Sequence, residues 1–192
     1  MSVVSIAEAW PAAGQPFTTD ELDRMPDDGH RYELIDGVLV VSPRPGTIHQ
    51  VVATRLGAVL LAACPEDMFV IAEPAVQLSR RTEFDPDLTV ARGGDVGGAK
   101  LTAPPLLAVE VRSPSTALID LTRKKAAYAA FGVASYWIVV PDLQRPEVSV
   151  FELHDGRYEQ TGQAAAGETL RTARPFPVEV VPARLVAGVT AR

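Results

Sequence analysis

Hydrophobic and polar positions fall into three patterns along the chain: alternation, helical spacing and unbroken apolar runs. Their order predicts the elements. In Tyr32-Glu33-Leu34-Ile35-Asp36-Gly37-Val38-Leu39-Val40-Val41, Asp36-Gly37 sits between two apolar runs and is a strong hairpin signal. Thr18 or Thr19 before Asp20-Glu21-Leu22 predicts a short capped helix ending before Pro26. After Pro45, the residues Val51, Val52, Arg55, Leu56, Val59 and Leu60 recur at three- and four-residue steps, which predicts a second helix. Phe69 to Leu78 reads as one strand bent at Pro74, and Asp87 to Ala91 as another, entered through Pro86. Leu106 to Val111 is an apolar run interrupted only by Glu110, the pattern of a strand buried on both faces. Ser115 or Thr116 can cap a helix that runs to Phe131 and closes at Gly132. Ser135 to Val140 predicts a further buried strand, and Glu147 to Leu153, Asp155-Gly156 and Tyr158 a second hairpin.

Helices and strands interleave in the middle of the chain, so the expected class is α/β (α+β), with two helices packed on one central sheet. The 192 residues suit one domain. Residues 1–16 keep no lasting period and are expected to form a loose arm, residues 17–186 the domain, and residues 187–192 a short tail.

Composition narrows the picture. Hydrophobic residues make up 47% of the chain, enough for a packed core. One cysteine, Cys64, permits no internal disulfide, and its apolar neighbours mark it as a small buried hydrophobe. The N-terminus lacks the basic region of a signal peptide, and the longest apolar stretch, Leu56 to Cys64, is far short of the ~20 residues that span a bilayer. A cytoplasmic protein without a membrane segment is the expectation. A net charge of −6 argues against a sequence-independent DNA coat, yet an acidic metal cluster can coexist with a local basic strip. Arg44, Arg80, Arg81, Arg123, Lys124 and Lys125 are candidates for that strip.

Glu110 carries the most chemical information. A carboxylate inside Leu-Leu-Ala-Val-Glu-Val costs several kcal/mol to bury unless it is paired or binds a metal. Period-two geometry puts Ala108, Glu110 and Arg112 on one face of the strand and Leu107, Val109 and Val111 on the other. Asp87 opens the preceding strand, and two acids on successive strands can face each other across a hard cation such as Mg²⁺. Asp120, Lys124 and Tyr128 fall at four-residue steps on one helix face. Two readings stand for that stripe: a solvated Asp–Lys pair, or an ammonium that reaches the acids. Glu33 lies in the first hairpin, and His49 near the start of the second helix could carry a proton, touch a phosphate or serve the helix start.

Several stretches fall in one order: Arg31-Tyr32-Glu33-Leu34-Ile35-Asp36-Gly37; Ser42-Pro43 with His49; Pro86-Asp87-Leu88; Val109-Glu110-Val111-Arg112-Ser113-Pro114-Ser115-Thr116; Asp120 with Lys124 and Tyr128; and Gly132-Val133 with Tyr136-Trp137-Ile138-Val139. Together they resemble a bacterial restriction-endonuclease-like family of the PD-(D/E)XK nuclease superfamily, over roughly Phe17 to Leu185. The resemblance implies a mixed central sheet flanked by helices, with an N-terminal hairpin and C-terminal β extensions. It also implies a divalent-metal phosphodiesterase site. Asp87 then matches the Asp of the Pro-Asp half and Glu110 the second acid, with Glu33 and His49 at recurrent polar positions. The usual lysine two residues after the second acid is here Arg112, which stays protonated and cannot act as a base. The family supplies its lysine from the following helix, here Lys124.

The expected activity is therefore that of an endonuclease acting on DNA. Asp87, Glu110 and the Val111 carbonyl would hold Mg²⁺ or Mn²⁺. Lys124 and Glu33 would complete the catalytic set, and Arg112, His49 and Tyr128 would contact the substrate. A homodimer is expected because cutting two strands favours two sites about a two-fold axis. The alternatives are a nuclease fold that binds without cutting, a hydrolase of another phosphate ester, and a structural domain with solvent-exposed acids.

Overall fold

The computed structural model describes residues 11, 14–113 and 120–190. Most of the expected N-terminal arm, the two capping candidates Ser115 and Thr116, and the end of the tail lie outside the described residues, as does the Asp120 side chain.

Helix α1 (Thr19–Leu22) starts as expected: the Thr18 N–H donates to the Glu21 carboxylate at 2.8 Å, the reciprocal arm of a capping box. Strands β1 (His30–Ile35) and β2 (Val38–Pro43) pair through the Asp36-Gly37 turn, where both residues take positive φ, 52° and 83°. Helix α2 (Thr47–Ala63) buries Val52, Leu56 and Leu60 on the expected stripe. Gly57 lets it lie close to the sheet, since a Cβ there would stand 3.3 Å from Leu88 Cδ2.

The run Phe69 to Leu78 is not one bent strand. It divides into β3 (Met68–Ala72) and β4 (Val76–Ser79), which belong to different sheets. Glu73 takes φ 48° ahead of Pro74, so the backbone turns sharply there instead of bending within one ladder. Strand β5 (Thr82–Phe84) was not expected from the pattern. It has three residues, and its central Glu83 is buried against Lys100 at 2.7 Å. Next in the chain are β6 (Leu88–Arg92) and β7 (Leu107–Val111). A π-helical turn, Asp120–Lys124, leads into α3 (Lys125–Phe131), which closes at Gly132 with φ 96°. Then come β8 (Ser135–Val140), the hairpin of β9 (Glu147–His154) and β10 (Arg157–Ala165), the small pair β11 (Leu170–Thr172) and β12 (Val178–Val180), and α4 (Pro182–Leu185).

The expected mixed sheet has six strands in the order β10-β9-β8-β7-β6-β3, with β7 and β8 parallel and the other neighbours antiparallel. A second sheet, β2-β1-β5-β4, adds to the single sheet the sequence suggested. The alternation along β7 sets up two cores. Leu107, Val109 and Val111 pack with α2 and the C-terminal β pair. Ala108 faces Tyr128, Tyr136, Ile35 and Phe84, the core shared with α3 and the second sheet. Glu110 is on that second side, at the outer end of β7.

Gly37 is required twice over. It adopts φ 83°, and a Cβ there would come within 2.7 Å of Pro16 Cβ and 2.9 Å of Arg81 Nη2. Gly156, in the Asp155-Gly156 turn, has φ 77° but open space around it. Gly37→Ala is therefore expected to lower stability by more than about 1 kcal/mol and by clearly more than Gly156→Ala. Urea denaturation midpoints of the two variants check this; equal losses would show that the close contacts around Gly37 cost nothing.

Candidate active site

The site forms where the chain crosses from one sheet to the other. Strand β5 lies in the four-stranded sheet and β6 in the six-stranded one, and Asp85-Pro86-Asp87 is the crossing. In the β6–β7 ladder Leu88 pairs with Val109, so the next residues outward, Asp87 and Glu110, leave the ladder side by side. Strand β1 pairs with β5 at Leu34–Glu83, which sets Glu33 beside Asp85: the Asp85 N–H donates to Glu33 Oε1 at 3.0 Å.

Two charge clusters result. Lys124 Nζ donates to Glu33 Oε1 at 2.7 Å and to Glu110 Oε1 at 3.2 Å, and the Tyr128 hydroxyl donates to the same Glu110 oxygen at 3.2 Å. Lys124 and Tyr128 thus share a face, as their spacing predicts. Lys124, Glu33 and Glu110 are 2%, 4% and 3% exposed, so the solvated Asp–Lys reading of this stripe does not hold for Lys124. Asp87 has its own partners. Its Oδ1 meets His49 Nε2 at 2.9 Å and accepts from Arg31 Nη1 at 3.2 Å, and its Oδ2 accepts the Val111 N–H at 2.6 Å. Arg31 also donates to the Asp85 carbonyl.

These partners set the protonation states. Burial pushes the Asp87 carboxyl up, but the His49 hydrogen bond, the charges of His49 and Arg31 and the Val111 N–H together hold it below the usual carboxylate range. An ionised Asp87 only accepts, so the proton between it and His49 resides on Nε2. Burial, then the Glu33 charge, raise Asp85 to about 7 against the pull of Arg31. Burial and the Glu110 charge hold the Tyr128 hydroxyl well above its ordinary value, so it remains a donor.

A cleft of about 200 Å³ opens onto Glu33, His49, Asp87, Glu110, Val111 and Lys124, with Arg44 at its edge. Two carboxylates and a main chain at one wall are hard oxygen donors of the kind Mg²⁺ or Mn²⁺ takes while retaining waters. Among the described residues no group of three or more His, Cys, Asp or Glu is arranged to hold an ion unaided. Asp87, Glu110 and the Val111 main chain fit a divalent ion that takes two carboxylates and completes its shell with water.

The structure brings Asp87, Glu110, Val111, Lys124, Glu33 and His49 together. The substrate contact expected of Tyr128 is corrected, and Arg112, expected on the face of Glu110, lines a different surface. Arg112 lies past the last residue of β7 and is absent from the cleft wall; it lines the neighbouring groove beyond His49. Tyr128 is fully buried behind Glu110, so it orients that carboxylate and has no surface to offer a substrate. The basic candidates do not form one strip at the cleft. Arg80 pairs with Asp20, Lys125 lies over the Phe151 ring, and Lys124 is inside. Sequence reasoning missed Arg31 and Asp85 as site residues. Arg31 was accessible through period two, since it shares a strand face with Glu33; Asp85 stands two residues before Asp87 across Pro86.

A family model for Uma2, described as "Putative restriction endonuclease", matches residues 19–186. A solved structure from Anabaena variabilis ATCC 29413, described as a putative nuclease belonging to DUF820, superposes with a TM-score of 0.69 at 18% identity, covering 88% of this chain and 97% of that one. That likeness shows the fold. No curated protein matches the sequence. Among the described residues no helix is long and apolar enough to cross a membrane.

The Asp85 value gives a pH test. Its folded pKa of about 7 lies above the ordinary ~3.9, so ionised Asp85 costs stability progressively as pH rises from about 4 to about 7, and the full cost remains above that. Asp85→Asn is expected to raise the urea midpoint at pH 8 and to leave it near the wild-type value at pH 4. An equal effect at both pH values would show that Asp85 ionises without penalty.

Proposed function

The chain belongs to the Uma2 family of restriction-endonuclease-like proteins, and from that premise we propose that it hydrolyses phosphodiester bonds of nucleic acid, DNA foremost, with Mg²⁺ or Mn²⁺ held by Asp87, Glu110 and the Val111 carbonyl. The observation that supports this is the convergence of Asp87, Glu110 and Lys124, from three separate elements, on one cleft wall. A divalent ion bound there would supply charge neutralisation at the phosphate and a lower proton affinity for an attacking water.

The chain's own groups do the rest. His49, Arg31 and the Val111 N–H keep Asp87 anionic at neutral pH. Tyr128 fixes the orientation of Glu110. Lys124 has three donors; two face Glu33 and Glu110, and it also lines the cleft, where its charge can position water or offset charge building on a phosphate. Glu33 holds Lys124 and the crossing backbone at Asp85 through a single oxygen, a supporting role. Arg44, an exposed residue on the cleft lining, would meet a phosphate. Cutting both strands favours a homodimer with two clefts about a two-fold axis, and we place the reaction in the cytoplasm.

One observation favours a second reading, a nuclease fold that grips nucleic acid without cutting: each acid of the cleft is already paired with a nitrogen cation. Metal-dependent turnover separates the two. Plasmid, linear duplex, RNA and mononucleotide are incubated with Mg²⁺ or Mn²⁺, with and without chelator. Cleavage of duplex DNA is expected to vanish with chelator and to fall about a hundredfold or more in Asp87→Ala and Glu110→Ala. Lys124→Ala should keep Mn²⁺ binding by calorimetry and lose most cleavage, once melting confirms that it folds. Adding Arg112→Lys should not restore it, because position 112 faces another groove. Cutting that persists in chelator or in Asp87→Ala would rule the proposal out.

A further inference from the structure

Beside the cleft lies a second groove, about 590 Å³, which shares Gly46, His49 and Ser113 with it. One wall is the first turn of α2, the other the ends of β7 and β8. Its lining is largely apolar, from Ile48, Val140 and Pro141, with one guanidinium, Arg112.

Arg112 is the unusual member. Its backbone N–H donates to the Val139 carbonyl at 2.8 Å, which fixes it at the end of the parallel β7–β8 pair. Its Nε is buried and has no hydrogen-bond partner among the described residues. A guanidinium cannot shed its proton, so a buried Nε–H without an acceptor carries the full cost of desolvation. One further feature of the groove favours an anion. Helix α2 begins at Gly46 with no side-chain cap and no acid in its first turn, so its leading N–H groups and its dipole favour negative charge. Asp142 stands on the same lining as an ionised carboxylate, with its Oδ1 engaged within its own loop by the Gln144 and Arg145 N–H groups at 2.7 and 2.8 Å.

An anion site walled on the other side by aliphatic carbon suits a nucleotide: phosphate at the charged end, sugar and base along the apolar wall. Because the groove shares walls with the cleft, a strand lying in one continues into the other. We infer that this groove holds the nucleotide next to the scissile phosphate, with its own phosphate on Arg112 and the N-terminus of α2 and its sugar and base against Ile48, Val140 and Pro141. The inference rests on the nuclease reading and adds a substrate subsite to it. Arg112 is then a strand-binding residue, which accounts for a cation two places after Glu110 that does not face the acids.

The test is binding of a labelled DNA duplex to Asp87→Asn protein in Mg²⁺, by fluorescence anisotropy across a salt series. Adding Arg112→Gln is expected to weaken binding about tenfold and to reduce the slope of log affinity against log salt by about one, the signature of one lost phosphate contact. Arg112→Lys should keep most of that slope. With Asp87 intact, Arg112→Gln should raise KM and leave kcat nearly unchanged. A single neutral methylphosphonate walked along the strand should cost most at one phosphate adjacent to the cut, and this measurement uses Arg112 protein, so it stands even if Arg112→Gln does not fold. Unchanged affinity and slope in a folded Arg112→Gln, or a uniform loss along the walk, overturns the subsite alone. Failure of the Asp87→Asn protein to bind any duplex overturns the subsite and the nuclease reading together.

Discussion

Lys124 holds carboxylates from two different sheets, Glu33 of β1 and Glu110 of β7, with its ammonium 2.7 and 3.2 Å from them and all three side chains almost fully buried. None of these charges could stay inside alone. Removing one partner from such a group typically costs about 3–5 kcal/mol, because the remainder is left buried and uncompensated. The contact therefore does more than staff a site. It ties the four-stranded sheet, the six-stranded sheet and the turn before α3 at a single point, and each of those elements must be in register for the charges to meet. The π-helical stretch Asp120–Lys124 runs straight into α3, and together they direct both Lys124 and Tyr128 at one oxygen of Glu110. Such irregular turns often stand at functional positions.

Asp87 is treated differently although it leaves the ladder beside Glu110. It is satisfied by Arg31, His49 and a backbone N–H, and is held anionic. Two residues earlier, burial and the Glu33 charge raise Asp85 to about 7 against the pull of Arg31. Asp87 on the cleft lining and Asp85 beside it thus differ in charge state because their surroundings differ. His49 joins the two halves of the arrangement: one ring nitrogen meets Asp87, and the residue also lines the groove that contains Arg112.

Much of this was legible in the chain. Asp36-Gly37 and Asp155-Gly156 announced their hairpins, because few residue pairs tolerate two consecutive positive φ angles. The apolar stripe of α2 and the doubly buried β7 came from periods that local geometry enforces. Glu110 stood out because a charge inside an apolar run demands a partner, and the four-residue step from Lys124 to Tyr128 placed both on the face that reaches it. Other features had no local signal. The division of Phe69 to Leu78 between two sheets depends on what each half finds to pair with. Strand β5 is too short to show a period, and its existence rests on β1 and β4 on either side. Arg112 follows the last residue of β7, and although its N–H still bonds the Val139 carbonyl, it lines the neighbouring groove and not the cleft of Glu110. Local periodicity thus determined the elements, the turns and which carboxylate needed compensation, since these depend on residues a few places apart. The tertiary structure alone decided the crossing of Asp85-Pro86-Asp87 between sheets, the recruitment of Arg31 and Glu33 and the separation of Arg112 from the acids, because each depends on strand pairing between segments distant in sequence.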